Sequence, residues 1–141
     1  MMRTKIDVEE RAAGHDLATR REVSEQVIVV ASAMRHLAAA TDAAAAHAGR
    51  ISFGDYEEAR GKAEALREAA SLLHRADYAA ELLGRAPDAS GLSEALAALA
   101  AAAAAEVTAR ARLGFAACRD ARGRRDGYRA AAALLEELVR S

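Results

Sequence analysis

The residues best suited to chemistry in this chain are arginines gathered near its carboxyl end. Arg110, Arg112, Arg119, Arg122, Arg124, Arg125 and Arg129 are balanced between positions 108 and 129 only by Asp120 and Asp126. A guanidinium fork matches the geometry of phosphates and carboxylates, so this segment, with Tyr128 beside it, is a candidate for gripping DNA, RNA or an acidic protein surface. Cations also favour the negative end of a helix dipole, but seven arginines exceed what one helix end needs. Arg119, Arg122, Arg124, Arg125 and Arg129 are the candidate contacts for a nucleic acid or an acidic partner. A second cluster is apolar. Ile51, Phe53 and Tyr56 fall in one short stretch of a chain with three tyrosines, two phenylalanines and no tryptophan. Such a stretch either anchors a protein partner or fixes the entry of a helix through a hydrophobic staple between Ile51 and Tyr56.

The remaining chemistry-bearing residues do not assemble into a motif. No Glu is followed three residues later by His, the pairing that binds di-iron centres in helical bundles, and no His-Glu-x-x-His or Cys-x-x-Cys occurs. His36 and His47 share a helical face but lie about 16 Å apart along it, too far for one ion. His15 and His74 are more distant still in sequence. Gly49 and Gly54 have the spacing of a phosphate loop, yet Asp55 stands where the phosphate-binding lysine belongs. Cys118 has no base three or four residues away, and the Ser71-His74 pair lacks an orienting acid. No catalytic, cofactor-binding or metal-ligating residue is therefore assigned.

These side chains must be carried by helices. The 141 residues include 41 alanines and one proline, a bias toward helix, and the length is that of one domain. Val23, Val27, Val30, Met34, Leu37, Thr41, Ala44 and Ala48 step by three and four, predicting a helix over 16–48 that ends at Gly49. Tyr56, Ala59, Ala63, Leu66, Ala70, Leu73, Ala80 and Leu83 predict a second helix, started by Ser52 or Asp55 and stopped by Gly84 and Pro87. A third, capped by Ser90 or Ser93, carries Leu92, Leu96, Leu99, Ala103, Val107, Ala111, Phe115 and Cys118 to about Ala121. Gly123 and Gly127 are read as breakers, after which Asp126 caps a shorter helix bearing Tyr128, Ala131, Leu135 and Leu138, unless the last two helices form one bent rod. Residues 1–15 are expected to be a flexible arm or short helix, and 16–141 a single bundle.

The expected fold is all-α: an antiparallel up-down-up bundle of three long helices plus a shorter C-terminal helix. The formal charge of −1 gives no global field toward nucleic acid or membrane. The unbroken apolar run 95–105 is about half the roughly 20 residues of a membrane span, and a single cysteine with a charged amino terminus reads as cytoplasmic. Because alanine burial stabilises each helix weakly, pairing with another protein or with itself is expected. The leading functional expectation is a non-enzymatic protein-protein interaction module, an adaptor, inhibitor or assembly subunit of the size of a phage or plasmid accessory protein. Alternatives are a nucleic-acid-binding accessory protein using segment 110–129, and a helical enzyme with a polar pocket between helices.

Overall fold

A computed structural model of the chain describes the backbone of residues 5–48 and 53–140, and the side-chain surroundings of 20–47 and 55–138. It is all helix among the described residues: α1 (Lys5–Ala48), α2 (Phe53–Leu82), α3 (Ala89–Arg110) and α4 (Arg119–Arg140), with short 3₁₀ turns Ala111–Leu113 and Ala116–Cys118 between the last two. Residues 5–15 are helical and continuous with α1, so that helix begins before the Asp16 start given by its periodicity.

Neighbours in space are not all neighbours in sequence. α2 packs against α1 on one side and α4 on the other, while α3 packs chiefly on α4. α1 and α2 run antiparallel, tied by Arg20 to the Gly84 carbonyl, by the Ser24 hydroxyl donating to Asp77 at 2.6 Å, and by an Asp42–Arg67 ion pair. α2 and α4 run parallel. The core joins Val27, Ala31, Met34 and Ala38 of α1 to Ala63, Leu66, Ala70 and Leu73 of α2, Ala131 and Leu135 of α4, and Leu92 and Leu96 of α3.

Three expectations about the carboxyl half are corrected. The third helix ends at Arg110 rather than near Ala121, because Gly114 takes φ 116°, a conformation costly for any side chain, and turns the chain there. α3 is therefore 22 residues long, no longer than α4. Gly123 and Gly127 do not break a helix: α4 runs through both. A Cβ at Gly127 would lie 2.5 Å from the Lys62 carbonyl oxygen, and one at Gly123 would overlap the Glu58 carbonyl, so both are glycines because the α2 backbone lies against them. Their helix-propensity cost of about 1 kcal/mol each is offset by packing that no larger residue permits. Finally, α3 is capped by Asp88, whose carboxylate accepts from the Gly91 N–H at 2.9 Å, and not by Ser90 or Ser93.

The outer helices are more apolar than their packing requires. Segments Arg20–His47 and Ala89–Leu113 are long and apolar enough to cross a membrane by length and composition, although only 22% of each such window is buried within the bundle. Counting unbroken apolar residues in the sequence passes over both segments. Where burial is complete it is indispensable: Leu66 and Leu135 are fully enclosed. Leu135→Ala is expected to cost about 2–5 kcal/mol, read as a shift in urea midpoint with unchanged slope, whereas Leu138→Ala at the half-buried next turn should cost clearly less.

Candidate functional site

The carboxyl end of α1, the amino end of α2, the end of α3 and the start of α4 all meet at one end of the bundle. The two regions singled out in the sequence therefore converge, with Arg119 of α4 lying 3.7 Å from the Asp55 carboxylate of α2. Ile51 lies outside the described residues. Phe53 opens α2, its side chain outside them too. Tyr56 is half-buried and lines a shallow cleft with Ala45, Ala46, Arg60 and Arg67. It packs toward α1 rather than standing clear as an isolated tip.

What stands clear at this end is the α3–α4 connector. Leu113 is 79% exposed and Phe115 60% exposed, an unusual expense of apolar surface in a chain with few large side chains. The periodicity of α3 assigns Phe115 to the core. The turn at Gly114 carries it out instead. Two guanidiniums cover its ring, Arg119 at 4.9 Å and Arg122 at 4.5 Å from the centroid, a cation–π arrangement that holds the arginine forks beside the aromatic. Beneath them Cys118 is buried, its thiol donating to the Phe115 carbonyl at 3.1 Å, which pins the connector to the first turn of α4. Neither its position nor its surroundings expose the thiol as a nucleophile.

The five candidate arginines separate into different jobs. Arg119 and Arg122, in the first turn of α4, lie over the exposed connector's Phe115 ring. Arg125 pairs with its neighbour Asp126 at 3.0 Å, and Arg129 is exposed on the same outward side of α4. Arg124 points the other way, into the α2–α4 seam, where its guanidinium donates to Glu68 at 3.1 Å and to the Tyr128 hydroxyl at 3.0 Å and lies 3.6 Å from Glu64.

That seam is the strongest polar feature of the structure. Tyr128 is buried, its ring packed with Ala65 of α2 and Ala100 and Ala103 of α3, and its hydroxyl donates to Glu68. Alanines on α2 and α3 make the room that a tyrosine on α4 fills. The Tyr128 hydroxyl holds the Glu68 carboxyl below its ordinary value against some desolvation, with Arg124 assisting, so this contribution is present at neutral pH and fades as acid protonates Glu68. Burial, and then the Glu68 carboxylate, push the Tyr128 hydroxyl up to about 12. The sequence places this tyrosine in a stripe beside the arginines, and nothing there marks Glu68 as its partner. Only the parallel placement of α2 and α4 sets Glu68 opposite it.

A polar cleft of about 300 Å³ lies at the opposite end, lined by Arg20, Arg21, Glu25, Asp77, Glu81 and Arg85. Its one hydroxyl, Ser24, donates directly to Asp77 with no imidazole between them, so the cleft has charge but no activated nucleophile. Apolar surface is also exposed at this end through Tyr78, Leu82 and Leu83, the last of which the α2 stripe assigns to the core. Among the described residues no three metal-ligating side chains converge.

Because the folded chain holds the Tyr128 proton more tightly than an unfolded one, the seam stabilises the fold below about pH 10 and loses that contribution between about pH 10 and 12. Tyr128→Phe should cost about 1 kcal/mol near neutrality, and the gap in melting temperature between the two proteins should shrink over that alkaline window. Parallel curves up to pH 12 would show that the hydroxyl is not coupled to folding. No protein-family model, curated protein or solved structure matches this chain.

Proposed function

We propose that the protein is a non-enzymatic interaction module whose α3–α4 connector binds a partner protein presenting an acidic, partly apolar surface. The observation that carries this reading is the pairing of large exposed apolar side chains, Leu113 and Phe115, with the guanidiniums of Arg119 and Arg122 stacked on the aromatic ring. Aromatic and arginine side chains dominate the energetics of protein interfaces, and a guanidinium held over a ring is already ordered, which lowers the entropy lost on binding. An adaptor, inhibitor or assembly subunit needs no more than such a patch on a rigid end.

A nucleic-acid reading draws on Arg112 and Arg129, both exposed, and on the Phe115 ring as a stacking platform. It has less to work with than the sequence promises, since Arg124 is committed to Glu68 and Tyr128, and Arg125 to Asp126. The polar cleft near Arg20 and Asp77 offers an enzyme reading a place with carboxylates and guanidiniums, and its one hydroxyl, Ser24, is bonded to Asp77 rather than to an imidazole.

Capture from the native host with nuclease-treated extract should retain a partner with the wild-type chain. Phe115→Ala is expected to weaken that partner's binding at least tenfold, and Leu113→Ser with Phe115→Ser to abolish it, both with unchanged helical circular dichroism. Binding lost to nuclease, or equal for wild type and the double variant, would overturn the reading. Binding to an oligonucleotide that falls steeply with salt and depends on Arg112 and Arg129 would favour the nucleic-acid reading instead.

A further inference from the structure

One cleft collects positive charge that the fold itself leaves uncompensated. It lies between α1 and the outward face of α2, has a volume of about 550 Å³, and is lined by Arg35 of α1 and by Arg67, Glu68, Ser71, His74 and Arg75 of α2. Positions 71, 74 and 75 follow 67 by four, seven and eight residues, so one face of α2 carries all four side chains in a row. The antiparallel α1 brings Arg35 against that row. The charges then divide. Arg67 is paired with Asp42, and the Glu68 carboxylate is already bonded by Arg124 and the Tyr128 hydroxyl. Asp77, further along α2, accepts from the Ser24 hydroxyl. Among the described residues neither Arg35 nor Arg75 has an ion-pair or hydrogen-bond partner, while six other arginines each pair with a carboxylate.

We propose that this cleft binds a phosphomonoester whose organic part is a flat ring system, the chemistry of a nucleoside monophosphate. A phosphomonoester carries nearly two negative charges close to neutrality, matching the two uncompensated guanidiniums, and its oxygens accept the forked N–H groups of arginine. Ser71 and His74, which make no nucleophilic pair for want of an orienting acid, supply a hydroxyl and an imidazole N–H as further donors in the same row. The ring is called for by Tyr78. It stands three residues after Arg75 and four after His74, on the same face of α2, and is 63% exposed. An aromatic ring open to solvent beside a cationic cleft is a platform for a base, and such stacking strengthens binding about five- to a hundredfold.

A nucleic-acid strand fits this surface less well. Its backbone needs cations at successive positions, whereas α2 places Glu64 before the row and Glu81 after it, and each phosphodiester brings one charge to a pair of guanidiniums. The cleft is on a different side of the bundle from the α3–α4 connector, and the proposal does not depend on the function proposed above.

Titration of the full chain with adenosine monophosphate, followed through the arginine Nε and tyrosine ring signals in nuclear magnetic resonance, should give a Kd on the order of 100 µM. Inorganic phosphate should bind about tenfold more weakly, and adenosine without its phosphate more weakly than the monophosphate by at least as much. Arg35→Gln and Arg75→Gln should each weaken the monophosphate about tenfold, while Arg129→Gln, at an exposed position of α4, should leave it unchanged. Tyr78→Ala should remove the advantage of the monophosphate over inorganic phosphate and leave phosphate binding intact. All four positions are exposed, so unchanged helical circular dichroism is expected throughout. Absence of binding up to about 10 mM, an affinity unmoved by Arg35→Gln and Arg75→Gln, an equal loss in Arg129→Gln, or an advantage that survives Tyr78→Ala would overturn the proposal. An oligonucleotide bound through Arg35 and Arg75 more than about a hundredfold tighter than the mononucleotide would overturn it in favour of a nucleic-acid surface.

Discussion

The structure depends on how closely two parallel helices approach each other. Along the α2–α4 seam the backbones are separated by no side chain at three places: Gly61 lies under Asp120, Gly123 under Glu58, and Gly127 under Lys62 and Ala65. In a chain whose core is mostly alanine, dispersion contacts between backbones replace those that larger side chains would supply. The close approach also determines everything built on α4. It sets Tyr128 against Glu68, directs Arg124 into the seam rather than toward solvent, and leaves Arg119 and Arg122 at the start of the helix to cover Phe115.

Small residues act in the opposite sense on the outer helices. α2 and α4 are covered by neighbours, and their outward faces carry charge. α3 touches the bundle through four buried residues and turns alanine toward solvent. Packing inside one copy of the chain does not account for that surface. Among the described residues the α3–α4 connector exposes large apolar side chains beside arginines, and the outward side of α3 exposes small ones.

The class of fold was legible because it follows from properties of single helices. The three-and-four spacing of Val27 and Met34, of Ala63, Leu66, Ala70 and Leu73, and of Tyr128, Ala131 and Leu135 needs no knowledge of neighbours, and these residues are buried as their spacing implies. The stop at Gly84 was legible for the same reason, since its positive φ is a local requirement. Gly123 and Gly127 were misread because propensity sees only the missing side chain, not the backbone that occupies its place. Phe115 and Leu83 belong by spacing to stripes that continue past the end of their partners, where a periodic residue is no longer a buried one. Of the candidate contacts, the arginine cluster was found by composition alone. Its division between the seam and the connector became visible only once α2 and α4 were known to be parallel neighbours.

The most direct test is the sign of the stability change in Gly123→Ala, measured by urea unfolding at neutral pH. Alanine in place of a helical glycine at an open position stabilises by up to about 1 kcal/mol. If the α2 backbone lies where the Glu58 carbonyl is placed, the added methyl must force the helices apart, and the variant unfolds at clearly lower urea than wild type. A variant as stable as wild type or more so would mean that the two helices do not meet there, and the arrangement of Tyr128, Arg124 and the connector would fall with it.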